Sequence, residues 1–225
     1  MKITFLGHAA LHIEFEGTHI IVDPFITGNP LASHIDINTL KADYILVTHA
    51  HQDHILDVET IAKNTGATIV ANYEVAMHYG AKDFNVFAMN HGGTYTTDMF
   101  AAKYVNAIHT SSFPDGSYGG QPGGFVFTAN GKSIYIAGDT ALTYDMKLIP
   151  LQTKLNLAIL PIGDTFTMGI DDAIIASDFV ECDTILGYHY DSFPPIKIDQ
   201  SEAKQKFADR HKELVLLGIG DSLEV

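Results

Sequence analysis

The sequence predicts an α/β fold in which helices cover a β-sheet. Short runs rich in β-branched and aromatic residues alternate with helical patterns along the whole chain. Four histidine or aspartate residues come just after predicted strands, at the place where α/β folds position ligands. With 225 residues, 46% of them hydrophobic and 18% charged, the chain fits a single domain over 1–225, made of two similar halves that divide near residue 110.

The first half begins with a predicted β-meander of three short strands separated by glycines. The Asp23-Pro24 pair ends the third strand, and a polar loop follows through Ser33. Two strands, each followed by a helix, then form a β-α-β-α alternation. The predicted bounds are Ile3–Leu6, Leu11–Phe15, His19–Val22, Tyr44–Val47, Val58–Asn64 (helix), Thr68–Ala71 and Glu74–Tyr79 (helix).

The second half repeats this alternation loosely. One strand leads to His109, and a hairpin turned at Asn130-Gly131 leads to Asp139. Between them lies a Gly- and Pro-rich loop over 111–124, which predicts either a substrate-facing wall or a flexible surface connection. The predicted elements are Lys103–Ile108, Phe125–Thr128, Ser133–Ala137, Leu157–Leu160, Asp172–Phe179 (helix), Thr184–Leu186, Ser201–His211 (helix) and Leu214–Leu217.

Charge and hydropathy exclude several classes of partner and location. The formal net charge is −14 and Arg210 is the only arginine, which disfavours a nucleic-acid or anionic-membrane surface. No run of about 18 apolar residues is present, so no membrane span is predicted. The first residues alternate like a strand rather than a secretory signal, and we therefore expect a cytoplasmic protein.

Cysteine and histidine usage points to metal rather than to disulfide chemistry. Cys182 is the single cysteine, so no intramolecular disulfide forms, and its setting predicts a buried thiol. In contrast, the chain contains 12 histidines. A surplus of imidazole in an acidic chain is a hint of transition-metal binding, although composition alone is a weak signal.

The strongest motif is T-H-A-H-Q-D-H, from Thr48 to His54. In an extended loop His49 and His51 point the same way, so both can bind one ion. Asp53 and His54 follow at a bend, where they can face a second ion. Isolated histidines and Asp-His pairs in turns are usually structural, but four such residues within six positions favour a metal site.

Together with the later His, Asp and His at strand ends, this motif resembles the metallo-β-lactamase superfamily. The resemblance covers nearly the whole chain and is closest to the metal-dependent hydrolases related to L-ascorbate-6-phosphate lactonase. It implies a four-layer αββα sandwich, with which the two similar halves agree. The further segments that carry it are Gly7-His8, Asp23-Pro24, Gly138-Asp139-Thr140, Pro161-Ile162-Gly163-Asp164 and His189-Tyr190.

The resemblance also implies a binuclear centre. Its two divalent ions are expected to be zinc, with manganese or iron as alternatives. A carboxylate can bridge two such ions and leave room for a bridging hydroxide. The implied ligands are His49, His51 and His109 for the first ion, Asp53, His54 and His189 for the second, and Asp139 as the bridge.

Two departures from other branches narrow the expected chemistry. True β-lactamases often have a cysteine where this chain has Asp139, which disfavours antibiotic hydrolysis. Diiron redox relatives have a glutamate where this chain has His51, which disfavours oxygen chemistry.

Three further residues are candidates around this centre. His8 is either a contact for substrate or ligand, or an ordinary turn residue. Asp23 is expected to orient a ligating imidazole, and Asp164 is a candidate for the same role. The alternative for both aspartates is that they cap turns.

These features predict hydrolysis of a small ester, lactone or phosphoester by a metal-bridging hydroxide, with Asp53 and Asp139 as the catalytic carboxylates. A residual positive charge at the metals, inside an acidic chain, favours a small and anionic substrate. The alternatives are a phosphodiesterase acting on RNA or DNA, and a non-catalytic metal-binding or sensing protein. A homo-oligomer is compatible with the sequence, which does not determine it.

Overall fold

The computed structural model describes residues 1–225, which form fourteen strands, five α-helices and four short 3-10 segments. The strands are β1 (Lys2–Gly7), β2 (Ala10–Phe15), β3 (Thr18–Val22), β4 (Tyr44–Leu46), β5 (Thr68–Asn72), β6 (Val86–Met89), β7 (Thr94–Thr96), β8 (Phe100–Asn106), β9 (Gly123–Ala129), β10 (Lys132–Ile136), β11 (Leu157–Pro161), β12 (Thr184–Tyr188), β13 (Glu213–Val215) and β14 (Ser222–Glu224). The α-helices are α1 (Gln52–Ile55), α2 (Val58–Thr65), α3 (Tyr73–Gly80), α4 (Ile170–Phe179) and α5 (Gln200–Ala208).

The strands form two seven-stranded sheets with matching organisation. The first sheet has the order β14-β1-β2-β3-β4-β5-β6, and the second has the order β13-β12-β11-β10-β9-β8-β7. In the first, pairing is antiparallel from β14 to β3 and parallel from β3 to β6. In the second, it is antiparallel from β7 to β10 and parallel from β10 to β13.

Three apolar clusters define the layers. One joins buried side chains of both sheets, such as Phe5, Leu11 and Phe127, and therefore lies between the sheets. A second packs the other face of the first sheet against α2 and α3. The third packs the other face of the second sheet against α4 and α5. This arrangement confirms the predicted four-layer αββα sandwich, because each sheet buries both faces.

The predicted meander, the central strands and the four longer helices are present, with bounds shifted by a few residues. The last helix ends at Ala208, earlier than predicted, and β8 begins earlier, at Phe100. Three strands were not predicted, namely β6, β7 and β14. They have four residues or fewer and end their sheets, so they carry little hydrophobic alternation.

The chain passes from the first sheet to the second between Met89 and Thr94, earlier than the predicted division near residue 110. After β13 the chain returns to the first sheet, where β14 pairs with β1. The first sheet thus contains both ends of the chain. None of the helices has the length and apolar character that a bilayer crossing requires.

Candidate metal centre

Four predicted ligands lie immediately beyond strand ends. His49, His109 and Asp139 each come three residues after a strand, namely β4, β8 and β10, and His189 follows β12 directly. Although β4 belongs to the first sheet and the other three strands to the second, all four side chains meet at one edge of the sandwich. The short distances among them agree with the predicted convergence at the carboxyl ends of strands.

The Asp139 carboxylate lies at the middle of this group. Its Oδ2 atom is 3.0 Å from Nε2 of His189 and 3.3 Å from Nε2 of His54. The same oxygen is 3.6 Å from Nε2 of His109 and 4.0 Å from Nε2 of His49. Asp139 is almost fully buried. One carboxylate oxygen surrounded by four imidazoles is the arrangement expected of a residue that bridges two cations.

Around Asp139 the ligand atoms separate into two groups. In the first group, the ligand nitrogens of His49, His51 and His109 all lie within 4.8 Å of one another. Nε2 of His49 is 3.0 Å from Nδ1 of His51, and the other ring nitrogen of His51 faces Thr110 Oγ1 at 3.4 Å. Three imidazoles converging on one point form a suitable site for a divalent transition metal.

The second group combines Asp53, His54 and His189 with His8, again with ligand atoms within 4.8 Å of one another. Asp53 and His54 lie on the single turn of α1, which begins after His51. Oδ2 of Asp53 is 3.9 Å from Nε2 of His189 and 4.0 Å from Nε2 of His54. Apart from His8, the members of the two groups are those that the sequence assigns to two ions, and a cluster of His49, His54 and Asp139 connects the groups. The number of ions stays a prediction.

His8 lies within the centre rather than in a remote turn. Its Nε2 atom is 3.1 Å from Oδ2 of Asp53, and its Nδ1 atom is 2.5 Å from Oγ of Ser192. Burial, followed by the neighbouring His189, lowers the pKa of His8 to about 4. The ring is therefore neutral near pH 7 and can donate only one of its two hydrogen bonds, because a neutral imidazole carries one N–H.

Asp23 lies behind His54 and is completely buried. Its carboxylate accepts hydrogen bonds from the backbone N–H of Thr48 at 2.8 Å and from the Thr48 hydroxyl at 2.6 Å. Nδ1 of His54 is 2.9 Å from Oδ2 of Asp23. This contact directs Nε2 of His54 toward Asp139, as expected of an aspartate that orients a ligating imidazole.

Three of these residues have strained backbones. His8 and His189 have φ values of 55° and Asp23 has a φ of 43°, in the left-handed region that side chains other than glycine rarely adopt. Each of the three follows the last residue of a strand, β1, β3 or β12. Strained backbone of this kind is often found at functional sites. Here it turns the chain directly after a strand.

The electrostatics of the centre favour bound positive charge. Burial alone would raise the pKa of the Asp139 carboxyl, but the imidazoles of His189 and His54 hold it well below its usual range. For His54, burial opposes protonation, yet Asp139 and Asp23 raise its pKa well above the ordinary value. Buried carboxylates thus stabilise a cation beside them, whether a proton or a metal ion.

Several buried ligand atoms have no hydrogen-bond partner, namely Nε2 of His54, both ring nitrogens of His189 and Oδ1 of Asp139. Buried polar atoms without partners are costly and rare in folded proteins. A bound metal ion would satisfy the lone pairs that converge here without donors. A donor set of imidazoles and carboxylates fits zinc, manganese or iron.

Asp164 does not contact the centre. It is exposed, and its Oδ1 accepts the backbone N–H of Thr165 at 2.7 Å, closing its own turn. Of the two predicted roles for Asp164, the structure therefore supports turn capping and corrects the candidate role of orienting an imidazole. The physical reason is local: Asp164 lies in a tight turn, with a φ of 61° and its backbone N–H donating to Met168 O at 3.1 Å, and its side chain bonds within that turn.

The loop over 111–124 is fastened at both ends. The Ser111 hydroxyl donates to Gly119 O at 2.9 Å and accepts the backbone N–H of Ala50 at 3.1 Å. The Asn72 side-chain amide donates to Gly119 O at 2.9 Å and to Gln121 O at 3.2 Å. These bonds anchor the loop to the segment that carries His49 and His51, which disfavours the alternative of a freely moving surface connection.

Sequence reasoning missed the residues that support the centre: Thr48, Asn72, Ser111 and Ser192. Thr48 begins the motif and Ser111 follows His109 closely, and these positions were the available signals. Asn72 bonds to the loop over 111–124 and Ser192 bonds to His8, in both cases through the packing of distant segments. No local spacing distinguishes them from ordinary serines and asparagines.

Comparison with known proteins places this geometry in a family. Residues 2–189 match the model of the β-lactamase superfamily domain. The chain is 68% identical, over the full length of both chains, to a UPF0173 metal-dependent hydrolase of Flavobacterium johnsoniae. It is 66% identical, again over the full length, to the corresponding protein of Christiangramia forsetii.

Solved structures of other proteins share this fold. The metallo hydrolase Igni18 of the archaeon Ignicoccus hospitalis is 33% identical, with a TM-score of 0.90 and coverage of 100% of this chain and 98% of that one. An isothiocyanate hydrolase from Delia radicum gut bacteria shares the fold, with a TM-score of 0.79 at 20% identity and 99% coverage of its chain. With this fold, this motif and these relatives, the chain belongs to the metallo-β-lactamase superfamily and, within it, to the UPF0173 family of metal-dependent hydrolases.

Proposed function

We propose that this protein is a binuclear hydrolase that cleaves a small ester or lactone. The observation that carries the proposal is the position of Asp139, whose Oδ2 atom lies 3.0–4.0 Å from imidazole nitrogens of both ligand groups. A carboxylate between one group of three and one group of four ligand atoms suits a pair of ions better than a single one. Zinc is the proposed metal, with manganese or iron as alternatives.

When bound, the ions supply Lewis acidity and lower the pKa of water. Asp53 is the ligand-group carboxylate open to solvent, with 29% of its side chain exposed. His8 faces one oxygen of that carboxylate, at 3.1 Å, the other oxygen has no hydrogen-bond partner within the protein, and Asp53 lines the cavity at the entrance. This arrangement lets Asp53 position the attacking water and accept its proton, as proposed for a catalytic carboxylate.

The entrance beside Asp53 supports a substrate with an apolar body. A cavity of about 390 Å³ opens there, and its lining includes Phe25, Leu56 and Phe193. The Phe25 and Phe193 rings flank His8, with centroids 5.4 Å and 5.2 Å from its ring. The cavity lining contains no lysine or arginine. An acyl or lactone group whose polarised or anionic oxygen faces the centre fits this entrance better than a phosphate, which proteins usually clamp with basic side chains.

The number of ions is tested by elemental analysis of protein saturated with zinc or manganese. We expect two ions per chain in the wild type, and loss of one ion and nearly all activity in Asp139→Ala. Asp164→Asn is the matched control, because that carboxylate is exposed and binds only within its own turn. A wild type with one ion, unchanged by Asp139→Ala, would contradict the binuclear proposal.

The reaction is tested by a metal-supplemented screen over esters, lactones, thioesters, phosphomonoesters and phosphodiesters. We expect turnover of esters or lactones with apolar acyl groups, and loss of it in Asp139→Ala. Including a phosphorylated sugar lactone tests the kinship with ascorbate-6-phosphate lactonase, which stays a prediction. Faster turnover of phosphomonoesters than of any ester would overturn the proposed substrate class.

Two alternatives remain distinguishable by the same screen. Cleavage of RNA with salt-sensitive binding would indicate a nuclease, which the net charge of −14 and the single arginine disfavour. Two bound ions without any hydrolysis would indicate a metal-binding or sensing protein. The exposure of Asp53 at an open cavity favours catalysis over that alternative.

A further inference from the structure

We propose that the first sheet carries a separate site for a divalent transition metal, formed by His12, Glu14 and His19. The ligand atoms of these three side chains lie within 4.8 Å of one another. Nε2 of His12 is 3.1 Å from Nδ1 of His19, which is 3.8 Å from Oε2 of Glu14. Two imidazoles and one carboxylate are a common ligand set for zinc, nickel or copper.

The register of the β2–β3 hairpin places these side chains together. His12 and Glu14 are two residues apart on β2 and therefore point to the same face. His19 stands directly opposite Glu14 on β3, and His12 stands opposite Ile21. Ile21 belongs to the cluster packed on the helix side of the sheet, so the three polar side chains occupy that face, away from the core between the sheets.

The distances suit one ion. Two ligands held at about 2.0–2.1 Å from a tetrahedral ion are separated by roughly 3.3 Å. The two ring nitrogens already lie near that separation, at 3.1 Å. Glu14 needs to approach by a small side-chain rotation, for which it is free because 45% of its side chain is exposed.

A hydrogen bond between the two rings is the simpler explanation of their close approach, but it does not account for the position of Glu14 beside them. In such a bond one nitrogen donates and the other accepts, which uses only the two imidazoles. The Glu14 oxygen is too far from His19 for a hydrogen bond, at 3.8 Å. Lys2, the register partner of Glu14, makes no ion pair with it either. The carboxylate thus has His19 as its one charged partner, at the long distance of a weak ion pair, and its oxygens remain able to bind a metal ion.

The backbone of His19 is also held in position, because its N–H donates to Oδ2 of Asp43 at 2.8 Å. The bound ion would link β2 to β3 and leave at least one coordination position open to water or to a further ligand. None of the three residues contacts the binuclear centre, so this inference is independent of the proposed function.

The test compares metal content between the wild type and the double variant His12→Ala/His19→Ala after dialysis against excess zinc. We expect the variant to hold one ion per chain fewer, whatever the number at the centre, and to keep the wild-type turnover. With copper(II), electron paramagnetic resonance of the wild type should show a signal coupled to two imidazole nitrogens that is missing from the variant.

Two further variants keep the outcome interpretable. Glu14→Gln, at an exposed position, should keep the ion but bind it more weakly, and His211→Gln, an exposed histidine outside the cluster, should bind as the wild type does. Equal metal content in the wild type and the double variant would overturn the proposal. An equal loss of metal in His211→Gln would also overturn it, because binding would then be a property of any surface histidine.

Discussion

At the scale of single residues, the contact between Asp23 and His54 determines which imidazole nitrogen faces the centre. The Asp23 carboxylate is itself held by two hydrogen bonds from Thr48, so it cannot rotate away. Its bond to Nδ1 of His54 holds the proton on that nitrogen, so a metal ion that displaces the proton from Nε2 would bind the lone pair of Nε2. The orientation of the His54 ring thus depends on a residue that lies outside the predicted ligand set.

Asp23→Asn should weaken metal affinity about 10–100-fold, because an amide at this position no longer secures the tautomer and orientation of His54. The measurement is competition with a chelating dye for zinc. Asp164→Asn serves as the matched control and should bind zinc like the wild type. Equal affinities for Asp23→Asn and the wild type would show that His54 is oriented by packing alone.

Cys182 is a structural residue. It is buried, and its thiol donates to Thr184 O at 3.3 Å. Burial raises the pKa of the thiol, so the reactive thiolate is scarcer at pH 8 in the folded protein than in the unfolded chain.

Cys182→Ser should therefore leave metal content and turnover almost unchanged. The native thiol should react more slowly at pH 8 with a thiol reagent than the thiol of protein unfolded in denaturant, and the rate of absorbance change measures both. A large loss of metal in Cys182→Ser would mean that the ligand set is wrong.

At the scale of elements, the centre depends on where strands end. The local motif from Thr48 to His54 was predictable because its residues are close in sequence. The convergence of His109 and His189 on Asp139 was predictable because each histidine follows a strand whose hydrophobic pattern is clear, while their role as metal ligands stays a prediction. Ser192 and Asn72 were not predictable, since their contacts arise from packing between distant segments. The short edge strands β7 and β14 have three residues each, too few to show a period.

His109→Ala and His189→Ala should empty different sites. The first removes a ligand beside His49 and His51, and the second removes a ligand beside Asp53 and His54. Each substitution should reduce metal affinity by more than the roughly 10–100-fold expected when a residue that orients a ligand is replaced, because a coordinate bond is removed. Cobalt titration followed optically would show which site is lost in each variant.

His34→Gln is the control for these variants, because that imidazole is exposed and faces only Ile219 O. If both alanine variants keep two tight sites, neither histidine is a ligand, and the division into two ligand groups fails.

At the scale of the whole molecule, the centre joins the two sheets. His49 follows β4 of the first sheet, whereas His109, Asp139 and His189 follow strands of the second. The core between the sheets holds most of the interface through apolar contacts. At the edge of the sandwich, where this apolar core ends, the histidine and aspartate side chains of the centre converge instead. Ions bound there would connect the two sheets through coordination.

Removing metal should therefore lower Tm. A ligand that binds only the folded state stabilises it by about 2.7 kcal/mol when its concentration is 100 times Kd. For a domain of this size that corresponds to an increase in Tm of roughly 5–11 °C for each ion, at about 2–4 °C per kcal/mol. Calorimetry of zinc-loaded protein, with and without a chelator, measures the difference. In Asp139→Ala, which lacks the bridging carboxylate, the chelator should lower Tm by less than it does in the wild type. An unchanged wild-type Tm would show that coordination contributes nothing to holding the sheets together, whatever the ions do in catalysis.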